Sequence, residues 1–547
     1  MSEPNAAALN LSPREKLEIL GAILLAMFLF ALDQTVVGTA LPKIVTDLHG
    51  DKLYTWSVTI YLLTATISGP IYGKLSDLFG RRPIVIFAVS LFLISSALAG
   101  LSGSMEQFIL FRGLQGLGGG AVFPIALAVV ADLYTPAERG KYLGLFGAVF
   151  GVSSLVGPGL GGVITDTVGW HWIFYINIPI GLISLFILWR LLPAIRRPEA
   201  ARNIDYVGAG VFALAIAPFL IGLTNKQTGQ WTDPAVGGLM LLGLAFGALF
   251  LWIESRVPEP IVPLSLFRIR TFSISVAAMF LAAFGFFTLV IFLPRWFQSV
   301  AGASATESGY NILPLLAGLI FSAIASGQIV ARVGRYKLLM VGSLALLAVA
   351  LFLFTNLHAD TNRQVLWLWM ALAGLGIGPS FAVFTLIVQN AVSPDRIGVA
   401  TSSLTFFQQI GGTVGLTLAG TILGDRLATE TGAQIIKAGV PAAFLAGFSP
   451  SSPAAAQLDL FGTGDLAARL ATVIPPEGQG LIPAIVKGVH EAFSIGIAST
   501  FWVGIAGAVI AAVLVAFLHE VPMRHTFEIE EHAPERAPGI EPEPTAG

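Results

Sequence analysis

The chain has 547 residues, 55% hydrophobic and only 11% charged, with a formal net charge of −2 and no cysteine. Soluble domains carry about 25% charged residues, so most of this chain must contact something other than water. The near-zero charge points away from a nucleic-acid partner, and the lack of thiols excludes disulfides and thiolate-bound metal. The seven histidines (His49, His171, His358, His490, His519, His525, His532) fall in or beside predicted loops, none with a partner at ligand spacing. No metal and no cofactor is expected.

Apolar runs of about twenty residues, the length that crosses a bilayer core as a helix, recur throughout. Residues 1–16 read as a retained cytoplasmic tail, because no small-residue cleavage site precedes the first run. Hydropathy then predicts fourteen spans, at 17–40, 54–74, 84–102, 107–130, 142–165, 172–194, 206–225, 235–254, 271–295, 309–330, 338–356, 366–390, 396–424 and 491–518. With the N-terminus inside, the short inner loops hold sixteen Lys and Arg residues and the short outer loops five, in keeping with the positive-inside rule. An even count returns the C-terminus to the cytoplasm. Residues 425–490 read as an external segment in which 434–436 and 481–489 suit short amphipathic helices. The Pro- and Glu-rich tail 519–547 reads as disordered.

An internal repeat divides the spans. Gly73–Arg81 shares its glycine and arginine spacing with Gly327–Arg335, Leu41-Pro42-Lys43 matches Leu293-Pro294-Arg295, and Thr135-Pro136 matches Ser393-Pro394, at offsets of 254, 252 and 258. The expected fold is an all-α polytopic membrane protein made of two six-helix bundles, 17–200 and 261–518 with its external segment, and two inserted central spans within 201–260. Parallel repeats of this kind are a transporter architecture that holds substrate between the halves.

Few charges fall inside the spans. Asp33 lies in the first and Arg112 in the fourth. Each would cost roughly 2.5–3.5 kcal/mol at the centre of a helix, and such residues mark proton or substrate paths. Burial disfavours a charged carboxylate, which suits a proton carrier, and a neighbouring arginine opposes that effect. The bland alternative is a static pair that sets helix packing. Asp77 and Arg81 fall in the predicted loop after span 2 and Asp132 at the end of span 4, where they could latch one closed state; ordinary topogenic charge explains the arginine but not the two acids. Spans 4 and 5 are rich in glycine, including Gly157, Gly161 and Gly162 beside Pro158. Close helix packing explains most of them, and the glycine–proline combination suggests a flexing helix. The cluster lacks the Gly-Lys-Ser/Thr ending of a phosphate loop, so ATP is not the expected energy source. Gln34 and Gln115 in one half, and Tyr310, Asn311, Gln408 and Gln409 in the other, are candidate cavity-lining residues. The 38 phenylalanines mostly face lipid or fill the bundles; a minority near the axis would make an apolar, adaptable cavity.

Several of these stretches resemble a known family. Gly73-Lys-Leu-Ser-Asp77-Leu-Phe-Gly80-Arg81-Arg82 is similar to the loop signature of the major facilitator superfamily. Leu32-Asp33-Gln34-Thr35 with Ala40-Leu41-Pro42 resembles the first-span motif of its fourteen-span drug:proton antiporters. Arg112-Gly113-Leu114-Gln115-Gly116 and Gly157-Pro158-Gly159-Leu160-Gly161-Gly162 resemble the fourth-span proton-transfer motif and the fifth-span antiporter motif, with Ser153 where the latter often has another glycine. Trp170–Gly181 is similar to the sixth-span signature. The resemblance implies a non-enzymatic exporter, acting as a monomer in a bacterial cell membrane. It would expel hydrophobic or cationic compounds in exchange for protons, with membrane lipids around it. Asp33 and Arg112 would be its proton-coupling residues, Asp77, Arg81 and Asp132 its latch, and Gly157-Pro158 with Gly161 and Gly162 its flexing motif. The second half lacks a membrane-embedded acid, which tells against dicationic substrates. A lipid transporter on the same fold, and less so a nutrient symporter, remain alternatives.

Overall fold

The computed structural model describes residues 11–48, 54–193, 205–226, 230–257, 260–393, 396–442, 466–474 and 476–520. Among them there is no strand. The first half consists of α1 (Pro13–Asp47), α2 (Tyr54–Phe79), α3 (Arg81–Gly100), α4 (Met105–Gly119), α5 (Val122–Leu133), α6 (Pro136–Thr167), α7 (Trp172–Tyr175) and α8 (Asn177–Leu191). The insertion contributes α9 (Tyr206–Asn225) and α10 (Leu239–Glu254). The second half consists of α11 (Arg270–Ser299), α12 (Ala305–Asn311), α13 (Leu313–Val333), α14 (Lys337–Phe354), α15 (Arg363–Ala391), α16 (Ile397–Lys437), α17 (Leu466–Val473) and α18 (Ile482–Ala516).

Local chemistry explains the breaks. The fourth predicted span is two helices because Pro124 lacks an N–H and its ring opposes the carbonyl of Gly120 four residues back, so it is tolerated only in the first turn of α5. Gly80, at φ 91°, lets α2 turn directly into α3. Thr135 and Glu138 form a reciprocal capping box at the start of α6, as Ser304 and Glu307 do for α12.

Ten helical segments among the described residues are long and apolar enough to cross a membrane. Of the other long helices, α2, α6 and α16 are those that meet across the two halves, where polar side chains are shielded from lipid. Contact between the halves runs along two seams, α2 against α16 and α6 against α13. The repeat relates α2 to α13 and α6 to α16, so a two-fold exchange turns one seam into the other. The insertion breaks that symmetry. Phe212 of α9 packs at a tilt between Phe250 of α10 and Phe406 of α16, with ring centroids 5.1 and 5.2 Å away, and shares one apolar cluster with Leu63 and Ile67 of α2. The inserted pair therefore lies over the α2–α16 seam.

The external segment differs from expectation. α16 runs unbroken through 434–436 to Lys437, and α18 begins at Ile482, so neither stretch is a separate short helix. Ile435, Ile482, Ile485 and Val489 bury one another with Leu466 and Leu470 of α17. An apolar stripe shared by two long helices offsets their extension beyond the bundle. Residues 443–465 and the tail from 521 onward lie outside the described residues.

Small residues set the closest helix approaches. A Cβ on Gly116 would overlap the backbone of Tyr61 and the hydroxyl of Thr64, whereas one on Gly159 would meet nothing within 4 Å. Gly116→Leu is expected to lower stability by about 1–3 kcal/mol through overpacking, read as a lower melting temperature of the purified protein, while Gly159→Ala leaves it unchanged.

Candidate functional site: a buried charge cluster and an inter-half clasp

Asp33 projects from the middle of α1 into the first bundle. Arg112 and Gln115, three residues apart and so on one face of α4, converge on it. Arg112 Nη1 donates to Asp33 Oδ2 at 2.5 Å and to Gln115 Oε1 at 2.8 Å, and Gln115 Nε2 donates to Asp33 Oδ1 at 2.9 Å. The three side chains close a ring. Asn177, the first residue of α8, donates to Asp33 Oδ1 at 3.3 Å and to Ser96 Oγ at 3.1 Å; Ser96 Oγ in turn donates to the Phe174 carbonyl at 2.9 Å. The guanidinium lies 4.1 Å over the ring of Tyr61 from α2, a cation–π contact. The Arg112 and Asp33 side chains are 2% and 0% exposed. Arg112 Nε is buried with no hydrogen-bond partner among the described residues. Four helices and α2 thus hold one carboxylate and one guanidinium away from water.

The glycine motif of α6 packs against the same stretch of α1. Gly157 faces Thr35 and Gly161 faces Val36 so closely that a Cβ would collide. Thr35 Oγ1 donates to the Ser153 carbonyl at 3.1 Å, and Ser153 Oγ to the Phe28 carbonyl at 3.4 Å. Gly162 has nothing within 4 Å, and α6 runs unbroken through Pro158. Two of the four predicted motif residues therefore act by close approach to the helix that carries Asp33.

The second cluster lies at the end of the bundle where α2 turns into α3. Asp77 belongs to α2 and Arg81 opens α3, rather than both lying in a loop. Arg81 Nε donates to Asp132 Oδ2 at 3.0 Å, and Arg81 Nη1 to Ser76 Oγ at 2.7 Å and to Asp77 Oδ1. The same Asp77 carboxylate crosses to the other half. It accepts from the backbone N–H of Gly398 at 3.2 Å and of Val399 at 2.8 Å, in the first turn of α16. A carboxylate at a helix N-terminus pairs with otherwise unsatisfied donors and with the positive end of the dipole. Gly73, one turn earlier, lets α2 approach Ser402 and Gly398. Nearby, Gln389 Nε2 donates across the halves to the Leu127 carbonyl at 3.3 Å, and to Thr401 Oγ1 at 3.2 Å. The halves are clasped at this end.

Sequence reasoning missed three contributors. Asn177 and Tyr61 complete the Asp33 cluster, and only the sixth-span motif drew attention to the first. Arg139, counted as topogenic charge, is buried and donates to the carbonyls of Tyr134 (3.0 Å) and Ala131 (2.7 Å), capping the C-terminal end of α5. Beside it, burial pushes the Tyr134 phenol well above its ordinary value. Of the other candidates Gln34 lies beside the Tyr61 hydroxyl, and the rest stay apart. Tyr310 is half exposed; Asn311 accepts from Trp367 Nε1 at 3.2 Å. Gln408 is buried and Gln409 and Gln34 partly so. None of the second-half residues is hydrogen-bonded to Asp33 or Arg112. By the repeat offsets, Gly285 occupies the place of Asp33 and Met370 that of Arg112. Gly285 is used instead for close packing against Gly504 and Leu351.

The profile of the Major Facilitator Superfamily matches residues 23–416. The chain belongs to that superfamily. It is a multi-pass membrane transporter and not an enzyme. It is 37% identical over 482 residues to the multidrug transporter protein MdtP of Bacillus subtilis, covering 87% of this chain and 86% of that one. It is 32% identical to the tetracenomycin C resistance and export protein of Streptomyces glaucescens, covering 96% and 94%. Among solved structures it resembles the human organic anion transporter MFSD10 (TM-score 0.55, 17% identity, 75% of this chain and 94% of that one). It likewise resembles the proton:xylose symporter XylE (TM-score 0.55, 16% identity, 91% and 95%). These structural likenesses establish the fold.

Removing one partner of a buried ion pair leaves the other uncompensated, at a cost of about 3–5 kcal/mol. Arg112→Ala is therefore expected to destabilise the protein by that order, and Asp33→Asn combined with Arg112→Gln to recover most of it, as measured by unfolding in detergent. At the clasp, Asp77→Asn is expected to lengthen the distance between spin labels at Phe79→Cys and Arg396→Cys, in a chain that has no native cysteine to interfere.

Proposed function

We propose that this transporter exports hydrophobic or cationic small molecules by alternating access, with one or more protons entering as substrate leaves. The observation that carries the reading is the carboxylate sealed inside the first bundle, Asp33, whose partners come from α4 and α8 and whose own helix is keyed into α6. The relatives' names, multidrug transport and tetracenomycin C resistance and export, supply the substrate class. In this reading the chain crosses the membrane fourteen times as a monomer among membrane lipids, with both termini cytoplasmic and the Asp77 clasp on the inner side.

Proton arrival at Asp33 removes the charge that holds Arg112. The guanidinium then loses its counterion in a low-dielectric interior, where an unpaired charge is expensive. Arg112, Gln115 and Asn177 must find new partners, which biases the positions of α1, α4 and α8. A shift of α1 passes to α6 through Thr35, Val36, Gly157 and Gly161, with Pro158 and Gly162 giving the helix compliance. From there it reaches the α6–α13 seam and the opposition of the halves. Asp77, Arg81 and Asp132 form the element with two states: while Asp77 caps α16 the inner side is closed, and opening breaks those two bonds. Cavity walls would come from Gln34 on the first half and from Tyr310, Asn311, Gln408 and Gln409 on the second.

The test is proton release from acid-loaded everted membrane vesicles on addition of lipophilic cations and neutral drugs. Substrate-triggered release is expected from the wild type and is expected to vanish in Asp33→Asn. A response surviving in that variant would remove Asp33 from the mechanism. Silence towards every compound, with flipping of a labelled phospholipid, would replace drug export by lipid transport.

A further inference from the structure

The inserted helices bury a carboxyl group that neither cluster uses. α9 and α10 run antiparallel, with Phe212 near the start of one against Phe250 near the end of the other. The first turn of α9 and the last turn of α10 therefore lie at the same end of the pair. Glu254, the last residue of α10, is 3% exposed. Its Oε1 accepts from the Ile261 N–H at 3.2 Å, and its Oε2 has no hydrogen-bond partner among the described residues. The chain beyond α10 folds back beside it. Ile261 and Val262 join Leu63 and Ile67 of α2 and Phe406 of α16 in the apolar cluster that spans the α2–α16 seam.

Among the described residues, two charged groups from other helices act on Glu254: Asp205, immediately before α9, and Lys74 of α2. Arg256, two residues further on, lies over the Trp252 ring at 4.4 Å instead. The two carboxyl groups have unequal settings. Asp205 Oδ1 accepts from the Gly208 N–H at 2.7 Å as the N-cap of α9, where the helix dipole favours a negative charge. Glu254 stands at the C-terminal end of α10, where the dipole opposes one, with a single backbone donor. Of two neighbouring acids, the one in the poorer setting for charge is the one that holds a proton.

Lys74 connects this site to the clasp. It precedes Asp77 by three residues, one helical turn along α2, and follows Gly73, whose close approach to Gly398 and Ser402 brings α2 onto α16. A charge on Glu254 attracts Lys74 and so draws this end of α2 towards the insertion, which itself packs on α16 through Phe406.

We propose that Glu254 is a proton-binding site of the insertion that acts as a switch on the α2–α16 seam. Ionised, it holds Lys74 and keeps the clasp end shut; protonated from the water at that end, it lets Lys74 go and eases opening. The proton returns to the same side, so the site adds none to the exchange of protons for substrate. The assignment rests on the clasp opening during transport and is independent of proton coupling at Asp33.

The experiment uses the full chain in nanodiscs, spin-labelled at Phe79→Cys and Arg396→Cys, in a parent carrying Asp33→Asn and Arg112→Gln so that Asp33 does not titrate. The ratio of long to short label distances is expected to rise about fivefold from pH 8.5 to pH 5.5, the size of one ion pair. Glu254→Gln, which keeps an acceptor for the Ile261 N–H, should show the long distance at every pH, and Lys74→Gln should flatten the response in the same way. Asp205→Asn should keep the response and move it to lower pH, because the carboxyl loses a neighbouring negative charge. Distances in the parent that do not change with pH would reduce Glu254 to a static cap on the chain after α10. A response kept by Glu254→Gln would assign the titration to another group, and one kept by Lys74→Gln would remove the link to the clasp; either overturns the switch.

Discussion

Asp33 and Arg112 are opposite charges held in a protein body that itself lies in hydrocarbon, and their mutual need governs the first half of the molecule. Neither can be left alone there without a penalty of several kcal/mol. The ring through Gln115 and the support from Asn177 satisfy the carboxylate from α4 and α8, while Tyr61 offers its face to the guanidinium. Five helices are thereby placed by one ion pair. Glycines at 116, 119 and 120 let α4 and the α4–α5 junction come close enough to α1 and α2 to make this possible. A device so fully paired resists displacement of any one of its helices.

The clasp works by a different physical principle. Asp77 is internally paired with Arg81, yet its carboxylate also supplies the missing acceptors of the first turn of α16. Those amides belong to the other half, so the contact exists only when the halves close at that end. The insertion adds an asymmetry to an otherwise two-fold arrangement: among the described residues α9 and α10 cover the α2–α16 seam and no inserted helix covers the α6–α13 seam. The aromatic contact through Phe212 ties the cover to the second half, and Leu63 and Ile67 tie it to the first.

Much of this was legible from residue order. Run length announced helices in a membrane, three offsets announced the repeat, and the rarity of embedded charge singled out Asp33 and Arg112. The two acids near Arg81 stood out because topology needs bases there, not acids. What hydropathy misjudged was the external segment. A window that rewards apolar content stops at residue 424, although α16 continues because Ile435 finds partners on α18, 47 or more residues later in the chain. Arg139 was misjudged for the converse reason: a basic residue in an inner loop needs no further explanation until its carbonyl partners are seen.

The sequence by itself determined that this chain is a helical membrane transporter of two related halves, because length, hydropathy and charge placement act through local solvation that every residue feels regardless of its neighbours. Tertiary structure alone decided that Asp33, Arg112, Gln115, Asn177 and Tyr61 form one cluster, that Asp77 caps a helix more than 300 residues away, and that Gly285 is used for close packing against Gly504 and Leu351. Those outcomes depend on which helix faces meet. That is set by the summed packing of small and large side chains across the bundle, and no single stretch of sequence carries it.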